Sequence, residues 1–92
     1  MRYIVCYDIA EDRRREHAAA ILLDFGHRIQ ESVFVADLDE ELAAKMRDRL
    51  KEAADHLVDR IHIFPTCAAC TAKATAVGAS AALPKDEEFY IL

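Results

Sequence analysis

The sequence is short of three features that would each define a class of protein. Its three cysteines are odd in number and unevenly spaced, which does not suit the framework of a small disulfide-bonded domain. No apolar run reaches the roughly 20 residues that a membrane-spanning helix needs. The apolar N-terminal stretch is too short, and enters a charged segment too soon, to be a signal peptide. We therefore expect a cytoplasmic protein with no membrane association.

Basic residues are also scarce. Lys and Arg number 12 against 17 Asp and Glu, which gives a net charge of −5. Over the whole chain this balance argues against a nucleic-acid-binding protein. The acidic residues, however, are concentrated in residues 37–52 and 86–88, whereas Arg13, Arg14, Arg15 and Arg28 lie elsewhere, near Asp8. A basic surface on an acidic protein is therefore still compatible with the sequence.

The length predicts one domain covering residues 1–92. The composition, 53% hydrophobic and 32% charged, is that of a globular chain. A domain of this size buries only about 60% of the surface that its unfolded chain exposes. Its core is therefore marginal, and we expect dimerisation to stabilise it.

The first half of the chain predicts a strand, a helix and a bent extended segment. Residues 2–7 are rich in β-branched and aromatic side chains and form a strand that ends at Asp8. A helix follows, with Asp12 as its N-cap and Gly26 as its C-terminal stop. Residues 27–36 are extended, with a kink near Glu31 and Ser32. The helix buries four residues at helical spacing: Ala18, Ile21, Leu22 and Phe25.

The second half predicts a helix, a strand and a tail strand. Asp37 or Asp39 caps a helix over roughly 39–54, and a strand at 59–64 ends at Pro65. The buried stripe of this helix is predicted as Leu42, Met46, Leu50 and Ala53.

Beyond a loosely held Ala- and Thr-rich stretch, residues 87–92 form a last apolar strand. This strand pairs either in its own sheet or with a dimer partner. The order predicts an α+β fold, a ferredoxin-like βαββαβ sandwich with an extra C-terminal strand.

Four segments together resemble a known family. They are Tyr7-Asp8-Ile9, the arginine run 13–15, the stretch 26–34 and the strand 60–65 with its terminal proline. In this order and spacing, across residues 2 to about 70 and the tail strand, they resemble the small CRISPR-associated proteins that work with the integrase subunit in spacer acquisition.

The resemblance implies a ferredoxin-like homodimer that binds duplex DNA in complex with the integrase subunit. Several members of the family are described as metal-dependent endonucleases that act on RNA or double-stranded DNA. The family's proposed metal ligand is the aspartate at the end of the first strand, which is Asp8 here. The resemblance also implies that the two copies of Asp8 face one another across the dimer interface.

Asp8 is thus the candidate catalytic and metal-binding residue. Mg²⁺, or Mn²⁺ in its place, prefers oxygen ligands and would serve phosphodiester hydrolysis. One carboxylate makes a poor site, and two symmetry-related copies of Asp8 make a better one. The alternative is that Asp8 only caps the helix that follows it.

Arg13, Arg14, Arg15 and Arg28 are the candidate nucleic-acid-binding residues. Basic side chains at a helix start oppose the helix dipole, and phosphate binding would explain their placement. The alternative is ion pairing with the neighbouring acids, which are Glu11, Asp12 and Glu16. The aromatic rings of Tyr7 and Phe34 are expected in the core or a dimer interface rather than stacked on bases.

The remaining candidates have weaker support. Cys67 and Cys70 form one CxxC, and zinc requires four ligands, so we expect free thiols, with a metal or redox role as the lesser alternative. Cys6 is expected in the core, and most histidines on the surface.

Two other functions remain open. One is a stand-alone, toxin-like ribonuclease of the same fold. The other is a non-enzymatic assembly module in which Asp8 is only a cap.

Overall fold

A computed structural model of the chain describes residues 1–73 and 75. Within them, the prediction of a kink at Glu31 and Ser32 is confirmed, because two strands flank these residues. The elements in chain order are β1 (Arg2–Asp8), α1 (Asp12–Phe25), β2 (His27–Gln30), β3 (Val33–Asp37), α2 (Glu40–Ala53), β4 (Arg60–Thr66) and the short α3 (Ala68–Ala72).

The four strands form one sheet in the order β2-β3-β1-β4, and every neighbouring pair is antiparallel. With a helix after β1 and another after β3, this is the predicted ferredoxin-like βαββαβ arrangement. The extra strand expected at 87–92 lies outside the described residues. No helix within residues 1–73 and 75 is long and apolar enough to cross a membrane.

The sheet has two different faces. Side chains alternate along β1, so Tyr3, Val5 and Tyr7 point into the core with the helices. Ile4 and Cys6 point to the second face and are only half-buried, which corrects the expectation that Cys6 is a core residue. The core cluster also includes Ala18, Ala19, Ile21, Leu22, Phe34, Ala36, Ala43, Met46 and Leu50.

The start of α1 differs from the prediction by one residue. Its N-cap is Glu11 rather than Asp12. The Glu11 carboxylate accepts the backbone N–H groups of Arg13 at 2.9 Å and Arg14 at 3.0 Å. The Glu11 side chain thus accepts hydrogen bonds from two of the backbone N–H groups that have no partner within the helix itself.

The buried stripe of α2 also differs by one position. Met46 and Leu50 are buried as predicted, but Ala43 is fully buried while Leu42 is 40% exposed. Each residue turns the helix by about 100°, so the small side chain at 43 faces the core and Leu42 turns outward. Asp39 is the N-cap, as one of the two predicted alternatives, and accepts the Leu42 N–H at 2.8 Å.

Gly26 ends α1 for a reason of packing. Its backbone is extended, with φ of −164°. A Cβ at this position would lie 2.1 Å from the carbonyl oxygen of Val35 and 2.8 Å from Cα of Ala36. Only glycine lets the chain approach β3 this closely on its way into β2.

β4 does not stop at Pro65 as predicted but continues to Thr66. Pro65 lies opposite Tyr3 in the pairing with β1. β4 is the last strand in the described sheet, and an edge strand tolerates a proline because one of its sides needs no donor.

Candidate nucleic-acid and metal site

Asp8 is exposed at the end of β1, opposite Arg60 of β4. Its carboxylate makes no hydrogen bond or ion pair with any other residue in the described part of the chain. The helix-capping role that was its alternative belongs to Glu11. Asp8 is therefore a carboxylate that the described fold does not use.

Asp8 lines an open cleft of about 410 Å³. The cleft lies where the end of β1, the first turns of α1 and the β2–β3 turn meet. It brings Asp8 together with Arg15 and Arg28, and leaves out Arg13 and Arg14. The residues that line it are Tyr7, Asp8, Ile9, Arg15, Glu16, Ala19, Arg28, Glu31 and Ser32.

Arg28 is held over an aromatic stack. Its guanidinium carbon lies 5.0 Å from the centre of the Phe34 ring, within the range of a cation–π contact. Phe34 is fully buried and stacks on Tyr7, with ring centres 6.2 Å apart. The Tyr7 hydroxyl donates to the carbonyl of Glu31 at 3.2 Å. The stack confirms that both rings are core residues, and it fixes the Arg28 side chain without using its N–H donors.

The donors of Arg28 remain available for a ligand. Within residues 1–73 and 75 its guanidinium makes no hydrogen bond or ion pair. The β2–β3 register places Arg28 opposite Phe34 and then shifts at a bulge before Gln30. The bulge changes which residues of β2 and β3 lie opposite each other, so the contact between Arg28 and Phe34 could not be predicted from the sequence.

Arg15 fixes the connection that follows Asp8. Its guanidinium donates to the carbonyl oxygens of Ile9 and Ala10, both at 3.1 Å. It also pairs with the Asp12 carboxylate, and this hydrogen bond is the main reason why the pKa of Arg15 is raised. Arg15 therefore lines the cleft, but part of its guanidinium is already hydrogen-bonded within the protein.

Arg14 lies away from the cleft in an ion pair that the sequence did not indicate. Its Nε donates to Asp59 Oδ2 at 2.7 Å, and the Asp59 side chain is only 1% exposed. Asp59 also accepts the backbone N–H of Asp55 at 2.8 Å. Arg14 thus ties α1 to the loop before β4, across 45 residues of sequence.

In addition to the Arg14–Asp59 pair, two of the ion pairs expected between neighbouring residues at the helix start are present. Arg14 lies 3.6 Å from Glu11, and Arg15 pairs with Asp12. Arg13 is exposed, and its guanidinium makes no hydrogen bond or ion pair with other described residues. Of the three arginines at the helix start, Arg13 is the one whose guanidinium has no hydrogen-bond or ion-pair partner within residues 1–73 and 75.

The ion pair of Asp59 predicts a pH dependence of stability. The Arg14 hydrogen bond, followed by the Asp55 N–H, lowers the pKa of Asp59 in the folded chain. The contribution to stability is therefore complete above the ordinary carboxyl pKa of about 3.9 and is lost as the pH falls through the lower folded value. Urea unfolding of wild type and Asp59→Asn should differ clearly at pH 7, and the difference should shrink below pH of about 4.

Asp24→Asn is the matched control for this series. Asp24 pairs with Arg49 at 3.0 Å, but the side chain of Asp24 is 61% exposed and that of Arg49 47%. Exposed pairs of this kind contribute little to stability. A gap between wild type and Asp59→Asn that is as wide at pH 3 as at pH 7 would contradict the assigned role of the Asp59 charge.

The donor set of one chain fits a divalent metal only in part. Among the described residues no cluster of three or more His, Cys, Asp or Glu side chains could hold a metal ion. Mg²⁺ is commonly held by one or two carboxylates and several waters. An exposed Asp8 suits one such position, and a fuller site needs a carboxylate from another chain.

The chain is similar to proteins of one family over most of its length. The model of the family described as CRISPR associated protein Cas2 matches residues 1–74. The CRISPR-associated endoribonuclease Cas2 4 of Rhodospirillum rubrum is 38% identical over 91 residues, which cover 99% of this chain and 73% of that protein. The CRISPR-associated endoribonuclease Cas2 1 of Chloroflexus aurantiacus is 32% identical over the full length of both chains.

Solved structures show the same similarity. A hypothetical protein from Thermus thermophilus superposes with a TM-score of 0.70 and 39% identity, covering 72% of this chain and 80% of that one. Streptococcus pyogenes Cas2 superposes with a TM-score of 0.78 over 85% of this chain and all of its own. Its identity is 24%, so this second match supports the fold alone.

Proposed function

Because the chain belongs to the CRISPR-associated Cas2 family, we propose that it is a homodimeric, metal-dependent nuclease that cleaves phosphodiester bonds at Asp8. The observation that carries this proposal is the placement of Asp8. An exposed carboxylate that has no partner among the described residues lines a cleft that is also lined by two arginines.

The two faces of the sheet support a site shared between two chains. Ile4, Cys6 and Asp8 are spaced two residues apart along β1, so the alternation of side chains places all three on the second face. This face also carries Phe64, which is paired with Ile4 and is 50% exposed. Packing two copies through this half-apolar face would cover it, and would also bring the two Asp8 side chains towards each other at its rim.

Asp8 would supply one oxygen ligand from each chain to Mg²⁺ or Mn²⁺. When bound, such an ion activates a water molecule and offsets negative charge on the scissile phosphate. The carboxylate is exposed, and nothing in the described fold competes for it. Its placement at the end of a paired strand supports a site for the scissile phosphate near this strand end.

The arginines would bind the nucleic-acid backbone. A guanidinium can donate two parallel hydrogen bonds to a phosphate, and the donors of Arg28 and Arg13 are not used within the described chain. Arg15 would act mainly by positioning the loop after Asp8. Arg14 is engaged with the buried Asp59 and would contribute least.

The biological setting that we propose is spacer acquisition in the cytoplasm of a prokaryote. There the dimer would hold duplex DNA in complex with the integrase subunit of the CRISPR system. Contacts to phosphates fit this role, because they hold a duplex without reading its sequence. The family match over residues 1–74 and the CRISPR-associated relatives support it.

A cleavage and binding assay on the purified chain tests the proposal. Labelled single-stranded RNA and duplex DNA are incubated with Mg²⁺, with Mn²⁺ and with a chelator. We expect cleavage with a metal and none with the chelator, and the polymer that is cut identifies the substrate. Wild type that is inactive with every metal, yet still binds duplex DNA, would overturn the nuclease and favour the assembly module.

The variant Arg28→Ala tests nucleic-acid binding in the same assay, through the salt dependence of the affinity. One lost phosphate contact should reduce the slope of log affinity against log salt by about 1. Arg47→Ala is the matched control, because Arg47 is an exposed arginine on α2, outside the cleft. Identical salt slopes for both variants would remove Arg28 from the binding surface.

A further inference from the structure

A pair of thiols lies at the end of β4 and takes no part in the proposed nuclease. Cys67 follows the strand directly, and Cys70 lies in α3. Their sulfur atoms are 3.3 Å apart, both residues are exposed, and neither is in a disulfide. The structure thus places the two sulfurs in contact.

The two sulfurs are not equivalent. The backbone N–H of Cys70 donates to Cys67 Sγ at 3.4 Å. This hydrogen bond, followed by the one from the Cys70 thiol, lowers the pKa of Cys67. The pKa of Cys70 is raised, chiefly because its proton is shared with Cys67. Negative charge therefore collects on Cys67, which makes it the nucleophile of the pair.

The pair is attached to a fixed part of the sheet. Thr66, immediately before Cys67, lies opposite Arg2 in the β1–β4 pairing, and its hydroxyl donates to the Arg2 carbonyl at 3.1 Å. Asp8 lies at the other end of the same pairing, opposite Arg60. The two ends are six residue steps apart along β1, which is about 20 Å. Chemistry at the thiols is thus remote from Asp8.

A metal role is less well supported than a redox role. Zinc takes four ligands in a structural site, and no group of three or more candidate ligands exists among the described residues. Two cysteines three positions apart across a helical turn, in contrast, lie within the Cα separation of about 4.4–6.8 Å that a disulfide spans.

We propose that Cys67 and Cys70 form a redox-active dithiol that exchanges with low-molecular-weight disulfides such as oxidised glutathione and closes to an intramolecular disulfide. The Cys67 thiolate attacks one sulfur of the small disulfide, whose S–S bond breaks and releases one thiolate. Cys70 then loses its proton and attacks the Cys67 sulfur, which releases the second thiolate. Both leaving thiolates take up a proton. The protein loses two electrons and two protons, and the small disulfide is reduced to two thiols.

Mass spectrometry of the full chain after equilibration in glutathione buffers tests this proposal. Cys6→Ser should still form the intramolecular disulfide. Cys70→Ser should instead accumulate a mixed disulfide with glutathione at Cys67, because the resolving thiol is absent. Cys67→Ser should form neither species. At pH 7, Cys67 should be alkylated about ten-fold faster than Cys70 in the reduced protein.

Three outcomes would overturn the redox assignment. One is that the wild type remains a dithiol in fully oxidised glutathione. Another is that the mixed disulfide of Cys70→Ser lies on Cys6. The third is stoichiometric zinc that blocks oxidation and is removed only by a chelator, which would make the pair a metal site. Both cysteines are exposed, so their serine variants are expected to fold, and circular dichroism checks this.

Discussion

Asp8→Asn is expected to reduce metal-dependent cleavage by about 100-fold or more while leaving the fold and the dimer intact. The amide keeps the size of the side chain but removes the charge that attracts a divalent ion. Folding should not change, because Asp8 is exposed and makes no hydrogen bond or ion pair with other described residues. Single-turnover cleavage rates and thermal unfolding of the two proteins measure both parts of this expectation.

A mixed dimer of one wild-type chain and one Asp8→Asn chain tests whether the site is shared. If each ion takes a carboxylate from both chains, the mixed dimer loses far more than half of the wild-type rate. A rate close to half would mean that each chain cleaves by itself. Glu16→Gln is the matched control, since Glu16 is another exposed carboxylate that lines the cleft, and its removal should change the rate little.

Phe34→Ala is expected to lower the free energy of unfolding by about 3–5 kcal/mol. The ring is fully buried in the core and is the largest of the fully buried side chains. Its removal leaves a cavity beneath Arg28 and beside Tyr7, and the total stability of a small domain is only about 5–15 kcal/mol. Urea denaturation at constant protein concentration measures the loss.

Phe64→Ala is the control with the same change on the opposite face of the sheet. Phe64 is 50% exposed, so its loss should alter the stability of an isolated chain much less than Phe34→Ala does. In the proposed dimer this ring becomes covered, and sedimentation should show weaker association of the variant. Unchanged association together with a large loss of chain stability would place the dimer interface elsewhere.

Most of the backbone could be predicted because its signals are local. The strand at 2–8 and both long helices follow from runs and spacings of apolar residues. The burial of Ala43 in place of Leu42 could not be predicted, because a small apolar residue can fill a closely packed core position as well as a large one. The passage of β4 through Pro65 depends on the strand being at an edge, and the sheet order decides that.

The candidate site was predicted in part, for the same reason. Asp8 was indicated by its place at a strand end and by resemblance to a family, and the structure leaves its carboxylate exposed. The roles of the arginines depend on partners distant in sequence. Arg14 meets Asp59 across 45 residues, and Arg28 meets Phe34 through a register with a bulge. Three arginines that are consecutive in the sequence therefore have three different environments in the structure.

The connection from β1 to α1 leaves the backbone of Asp8 little freedom to move by itself. Ile9 is buried, the guanidinium of Arg15 holds the carbonyls of Ile9 and Ala10, and Glu11 caps the helix. The Tyr7 N–H is fixed to the Ser32 carbonyl at 3.1 Å on the other side. In the proposed dimer, the separation of the two carboxylates is therefore set by how one whole subunit tilts against the other. A nucleic acid or protein that changes this tilt would switch cleavage on or off without moving any loop.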